Sequence, residues 1–357
     1  MVLDGPRHLE RRHFPLPPIA GDAGLLRVEA CGLCGTDHEQ YSGALAAGFA
    51  FVPGHESVGV IEAIGPAAAA RWSVSIGDRV AVEVFQSCRT CRNCRGGDYR
   101  RCQAHGIGDM YGFIPVDKPP GLWGGYASHQ YLGPDSLILP VPEGLDAPMA
   151  TLFNPLGAGL RWGATLPGTG PGDVVAVLGP GIRGICAVVA AQEAKAAFVM
   201  VTGSGPHDAS RLEWARRFGA DLVVDVSEAD PVSELRRATG GLADVVVDVT
   251  AKAPAAFAQA IALARPGATV VMAGTRGSPT TPGFDPDHLV YKELRILGAL
   301  GVDTSSYQAA LDLLASGRYP FADLPRQICD TASVGSLLTV MAGESSQVPP
   351  IHAVVVP

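Results

Sequence analysis

The hydrophobic pattern changes character partway along the chain. Up to about residue 150 the apolar residues come in short runs broken by Gly and Pro roughly every ten residues. Leu25–Ala30 reads as a strand, and Gly54–Ile64 carries Val58, Val60 and Ile64 at even spacing, the period of a strand. Gly77-Asp78-Arg79-Val80-Ala81-Val82 reads as a turn entering another strand. This part is β-rich and irregular. From Asp173 onward the pattern alternates. Val174–Leu178 is a continuous apolar run, the signature of a strand buried on both faces. After a Gly-rich turn, the spacing predicts a helix over Ile185–Ala197, a strand over Phe198–Val201, a helix over Ala209–Phe218 and a strand over Asp221–Val226. A helix over Val232–Ala238, a strand over Ala243–Val249, a helix over Pro254–Leu263 and a strand over Thr269–Ala273 complete the series. Strand–helix alternation at this spacing predicts a parallel, doubly wound sheet. Helix and strand resume from about Thr304, and Ile351–Val356 reads as a last strand that rejoins the first part.

A chain of 357 residues is long for one core, so two domains are expected. Their boundaries fall at residues 1–152, 153–299 and 300–357, the last segment returning to the first domain. The formal net charge of -8 argues against a nucleic-acid surface, which needs concentrated positive charge. Met1–Pro18 contains no apolar run of the signal-peptide kind. The longest apolar stretch, Ile185–Val201, is interrupted by Gln192, Glu193 and Lys195, which is unlike a membrane span. A soluble, cytoplasmic protein with no membrane partner is expected, in a compartment that keeps thiols reduced.

Half of the eight cysteines lie between Cys88 and Cys102, in C-R-T-C-R-N-C-R-G-G-D-Y-R-R-C. Short C-x2-C gaps let neighbouring sulfurs converge on one tetrahedral zinc, so Cys88, Cys91, Cys94 and Cys102 form a candidate structural zinc site. A bacterial iron–sulfur loop would end on a gap of three followed by Pro; here the last gap is seven and Gln103 follows. A disulfide cluster would suit a secreted protein. Arg89, Arg92, Arg95, Arg100 and Arg101 are expected to offset the thiolate charge.

Two further constellations carry chemistry. Gly179-Pro180-Gly181-Ile182-Arg183-Gly184 has the G-x-G-x-x-G spacing between a strand and a helix, the context in which it cradles a dinucleotide pyrophosphate at a helix N-terminus. An ordinary Gly-rich turn is the alternative. The second strand ends at Gly203-Ser204 with no carboxylate for the ribose before Asp208, and Arg211 is the nearest cation downstream. Gly203, Ser204 and Arg211 are therefore candidate ribose contacts, and both NAD and NADP stay open. Cys34, His55 and Glu56 are metal-ligand types in Gly-bracketed loops. Alone, the His–Glu pair also fits a structural role, and Cys31 with Cys34 fits a redox pair.

Together these pieces resemble the zinc-dependent medium-chain dehydrogenase/reductase family, which includes alcohol, sorbitol and threonine dehydrogenases. The matching stretches are C-G-L-C-G-T-D (31–37), P-G-H-E (53–56), G-D-R-V (77–80), the four-cysteine loop, G-L-W-G-G-Y-A (121–127), G-P-G-I-R-G (179–184) and Y-K-E-L (291–294). The resemblance implies a GroES-like β-rich catalytic domain and a Rossmann domain. It implies Cys34 and His55 as catalytic zinc ligands, Glu56 as an outer or exchanging ligand, and Thr36 as the residue that takes the substrate proton. It also implies a structural zinc on the four-cysteine loop, an alcohol or carbonyl small-molecule substrate, NAD or NADP, and a homodimer or homotetramer. The implied chemistry is reversible hydride transfer between an alcohol carbon and nicotinamide, with zinc polarising the oxygen. Two positions depart from the family pattern. Asn154, in Phe153-Asn154-Pro155-Leu156-Gly157, stands where the third protein ligand belongs, and a neutral amide is a poor zinc ligand. The place of a relay histidine is Glu39, with His38 one residue early. These departures keep two alternatives open: a zinc-independent reductase of the same fold, and a non-catalytic dinucleotide-binding protein. Tyr111, Phe113, Trp123 and Trp162 are candidates for a substrate pocket or for the core.

Overall fold

The computed structural model describes residues 1–45, 47–251, 253–275 and 280–357. The chain divides into two compact units. One joins Met1–Asn154 to Asp303–Pro357, and the other is Pro155–Val302.

The first unit is built on a seven-stranded sheet. Its spine is Gly24–Leu33, paired antiparallel with Glu56–Ile64, which continues to Arg79–Val82 and Ile138–Pro140. On the other edge His352–Val356 lies antiparallel to Gly24–Leu33 and parallel to Arg326–Asp330. The pairing of Val355 with Cys31 and Ala353 with Leu33 makes the end of the chain a wall of the sheet that leads into Cys34. Apolar residues of these strands, Leu26, Val28, Ile61, Val80 and Val82, pack with Trp72, Tyr111 and Trp123 into one core. Side chains alternate across a strand, so one face of each buries while the other supplies loops.

The second unit is a six-stranded sheet, parallel throughout. In chain order its strands are Val174–Leu178, Phe198–Gly203, Leu222–Asp225, Ala243–Asp248, Ala264–Met272 and Arg295–Gly298. In space they run 3-2-1-4-5-6, so the topological switch point lies between the first and fourth strands. Ala176, Leu178, Met200, Val246 and Val270 are fully buried, as expected of a sheet covered on both faces. Two expectations need correction. The first helix runs Ile182–Glu193 rather than 185–197: it starts directly on Gly181 as N-cap and stops where Lys195 turns left-handed at φ 60°. The sixth strand, Arg295–Gly298, was not anticipated, because it is an edge strand with half-exposed Ile296 and Leu297 and no continuous apolar run.

Candidate active site

The candidate metal ligands converge at the end of the spine strand. Gly24–Leu33 delivers Cys34 as N-cap of the short helix Gly35–Ser42, and Asp37 Oδ2 accepts the Cys34 backbone N–H at 2.9 Å. His55 immediately precedes, and Glu56 opens, the neighbouring strand Glu56–Ile64, whose Glu56 pairs with Gly32. A Cβ on Gly32 would stand 2.1 Å from Glu56 Oε2, so a larger residue there would push the Glu56 carboxylate aside. Gly54 holds φ 92° and lies against the Tyr126 ring, 2.7 Å from where its own Cβ would be. Glycine at 54 allows this left-handed backbone and close approach to the ring.

Cys34, His55 and Glu56 are all buried, and one ligand atom of each lies within 4.8 Å of the others. Cys34 Sγ is 3.4 Å from His55 Nε2. Zinc bonded to one sulfur and one imidazole nitrogen at ordinary lengths would set those atoms about 3.5 Å apart. The other His55 nitrogen, Nδ1, lies 3.7 Å from Asp37 Oδ1, and both atoms are buried without a hydrogen-bond partner. A thiol, an imidazole and a carboxylate in this arrangement fit a zinc ion, and Asp37 stands where a carboxylate orients a ligating histidine. Asp37 is a residue beside the cluster that reading by residue type missed. Its signal was its place three residues after Cys34, the capping-box spacing.

Asn154 is buried, and its Nδ2 donates to Tyr307 Oη at 3.0 Å. Thr36 is half-buried at the second position of the Cys34 helix. His38 turns to the tail of the chain, where its Nε2 lies 3.1 Å from Glu344, which also binds Arg7. Among the four aromatic candidates only Phe113 borders the site, its ring 6.1 Å from that of His55. Tyr111 is core, hydrogen-bonded to Ser136, and Trp123 is core, donating to the Lys118 carbonyl. Trp162 belongs to the other unit and donates to Gly301. The Cys31–Cys34 redox reading also falls: Cys31 is buried beside Ser57, its thiol pushed well up by burial and by Asp37, and it stands outside the cluster.

Cys88, Cys91, Cys94 and Cys102 form the second group, again within 4.8 Å of one another. Cys88 and Cys94 sulfurs are 3.8 Å apart, close to the separation of two thiolates on one tetrahedral zinc, about 3.8 Å. Cys91 caps the turn Arg92–Arg95, with its sulfur accepting Cys94 N–H, while Cys88 accepts Cys91 N–H at 3.4 Å. The Thr90 hydroxyl and two backbone amides pull the Cys88 thiol down to about 5. Arg89 feels the charge of Cys94 and Cys88, and the arginines of the loop also have partners of their own. Arg100 and Arg101 pair with Asp98, and Arg89 binds Asp135 and the carbonyls of Pro134 and Ser136. Guanidinium groups choose carboxylates and carbonyls that can accept two bonds.

In the second unit the glycine loop joins the first strand to its helix. Gly179 holds φ 100°, and a Cβ on Gly184 would meet Gly179 O at 1.9 Å, so helix and turn touch. A Cβ on Gly181 would meet nothing within 4 Å. Gly181 is the N-cap of that helix, and a helix N-terminus with room beside it is a fit for a pyrophosphate. Pro180 and Ile182 flank this turn, with Pro180 Cγ against Gly203. Arg183 stacks over Trp162 at 5.3 Å. At the end of the second strand Ser204 N–H donates to Asp208 Oδ2, and Asp208 Oδ1 holds Arg211 at 3.4 Å. Arg211 is therefore engaged by a carboxylate that reading by spacing had set aside.

The topology and the donor clusters define an oxidoreductase with a GroES-like unit and a Rossmann-like unit. The alcohol dehydrogenase GroES-like domain model matches residues 21–143, and the zinc-binding dehydrogenase model matches residues 184–316. A protein of Mycobacterium tuberculosis named "probable alcohol dehydrogenase adh" is 68% identical over all of this chain and 98% of its own. Erythritol/L-threitol dehydrogenase of Mycolicibacterium smegmatis is 30% identical, covering 91% of this chain and 88% of its own. Alcohol dehydrogenase TADH from Thermus sp. ATN1 superposes with a TM-score of 0.84 at 25% identity, over 99% of this chain and 98% of its own. The chain belongs to the zinc-dependent medium-chain dehydrogenase/reductase family.

Proposed function

We propose that this enzyme interconverts an alcohol or polyol with its ketone or aldehyde, using NAD or NADP. The observation that carries this reading is the buried Cys34–His55–Glu56 cluster, whose donor chemistry fits zinc without a residue from position 154. Cys34, His55 and Glu56 would hold the catalytic ion, and Cys88, Cys91, Cys94 and Cys102 a structural one. When bound, zinc supplies a Lewis acid for the substrate oxygen, and nicotinamide supplies the hydride acceptor or donor. The chain supplies the rest. Thr36, two residues past Cys34 on the same helix, takes the substrate hydroxyl proton. Phe113 and buried neighbours exclude water around His55. Gly179, Pro180, Gly181, Ile182, Arg183 and Gly184 form the pyrophosphate cradle, with Gly203, Ser204 and Arg211 at the ribose end. The thiol chemistry of both clusters favours a reducing compartment, the cytoplasm. A homodimer or homotetramer agrees with the exposed apolar edge formed by Val290, Tyr291 and Leu300 near the sixth strand.

Zinc per chain by elemental analysis, paired with cofactor reduction on a panel of alcohols and polyols, tests this. Two zinc ions, and loss of turnover in Cys34→Ser with an unchanged unfolding midpoint, are expected. The neutral amide of Asn154, a poor zinc ligand, favours one rival, a zinc-independent reductase. One zinc ion per chain, with Cys34→Ser as active as the parent, would establish that rival.

A further inference from the structure

The G-L-W-G-G-Y-A stretch contributes no ligand to either metal cluster. The structure sets it directly behind the metal cluster. A Cβ on Gly124 would lie 2.0 Å from Val52 O, and one on Gly125 would lie 2.3 Å from Ser57 Oγ. With hydrogens in those places, Gly125 N–H donates to Gly54 O at 2.9 Å and Tyr126 N–H donates to Pro53 O at 3.0 Å. Tyr126 is thereby clamped to the backbone just ahead of His55, with its ring against Gly54.

Tyr126 is fully buried, and its hydroxyl has no hydrogen-bond partner. A phenylalanine would fill the same space, so packing does not account for the oxygen. Two other orphaned buried atoms belong to the cluster, Asp37 Oδ1 and His55 Nδ1, which face each other at 3.7 Å. After burial itself, the charge of Asp37 acts most strongly on the Tyr126 phenol, ahead of Cys31 and Cys34, and drives it well above its usual range. Asp37 Oδ2 is already committed to the Cys34 N–H, whereas Oδ1 keeps two lone pairs for two donors. Buried polar groups are almost always hydrogen-bonded, so these three orphaned atoms are expected to pair with one another.

We propose that Tyr126 is a positioning residue: its hydroxyl donates to Asp37 Oδ1, which also accepts His55 Nδ1–H, so that His55 Nε2 stays bare and aimed at Cys34 Sγ. Asp37 then fixes both ligands, Cys34 through Oδ2 and His55 through Oδ1, and Tyr126 fixes Asp37. The inference rests on the reading that Cys34, His55 and Glu56 hold zinc. Outer partners of ligating histidines typically change metal affinity by 10–100-fold.

The test is Tyr126→Phe in the full zinc-loaded chain, with zinc affinity read by competition against a chromophoric chelator. The expected result is a loss of about 10-fold or more at the Cys34–His55 site, with the four-cysteine zinc and the dissociation constant for NAD(P)H unchanged. Asp37→Asn should weaken the same site, and adding Tyr126→Phe to it should cost no further affinity. Parental affinity in Tyr126→Phe, where the parent holds two zinc ions, overturns the relay. A parent that holds only the four-cysteine zinc overturns the reading beneath it instead. If Tyr126→Phe does not fold, the zinc-loaded parent decides by proton NMR. A slowly exchanging downfield phenol proton that disappears in Asp37→Asn supports the relay, and the lack of one overturns it.

Discussion

Glu83 is fully buried at the end of Arg79–Val82, where its carboxylate accepts the Tyr99 hydroxyl at 2.8 Å and the Phe85 N–H at 3.2 Å. Burial outweighs those two bonds and pushes its carboxyl up to about 8. The folded state therefore holds a proton that the unfolded chain releases near its ordinary value of 4.5. Stability from this group is full below pH 4.5 and declines as pH rises to 8, by on the order of 4 kcal/mol. Thermal unfolding of Glu83→Gln should lose much less between pH 5 and pH 8.5 than the parent does; equal losses would rule out this role. Residues of this kind are hard to see in a sequence. Cys34, His55 and Glu56 stand out because few side chains bind metal, and the structure brings the three together. Asp37, Tyr126 and Glu83 act through a neighbour that lies up to 89 residues away in the chain, as Tyr126 does to Asp37, so residue type alone does not mark them.

At the scale of elements, the glycine loop separates two functions that one motif combines. Gly184 is needed for contact between helix and turn, whereas Gly181 has open space before it. Gly184→Ala should lower the unfolding midpoint and dinucleotide affinity together. Gly181→Ala should keep the parental midpoint yet weaken NAD(P)H binding about 10-fold or more, read by nicotinamide fluorescence titration; intact affinity would move the pyrophosphate elsewhere. The interior strands of the parallel sheet were legible because burial on both faces leaves a continuous apolar run, as in Val174–Leu178 and in Val245–Val247 of the fourth strand. Arg295–Gly298 was not legible, since an edge strand buries too little to leave that run. The helix start was misplaced by three residues because glycine and proline score as breakers, although Gly181 is its cap.

At the scale of the whole molecule, the two metal clusters should fail differently. Cys34→Ser should cost activity, whereas Cys94→Ser should cost stability, because a closed four-thiolate site contributes folding free energy. Zinc content, circular dichroism and unfolding midpoint for Cys94→Ser check this; a normal midpoint with one zinc lost would show the loop to be dispensable to the fold. The four-cysteine loop reaches the rest of its unit through Tyr99, which binds Glu83, and Arg100, whose guanidinium lies 4.0 Å from Asp303, the cap of helix Thr304–Ala315. That helix carries Tyr307, the partner of Asn154. Loss of the loop is therefore expected to loosen the return segment as well.

The sequence by itself determined the fold class, the interior strands of the parallel sheet and the donor types of both clusters. Those properties depend on local period and on spacings of two to seven residues, which survive in one dimension. Tertiary structure decided what distance in the chain conceals. It tied Asn154 to Tyr307, put Tyr111 and Trp123 into the core, and gathered Asp37, His55 and Tyr126 into one buried polar group. The physical reason is that hydrogen-bond and burial requirements are met by whichever groups the fold brings near, and nothing in a linear pattern records which those are.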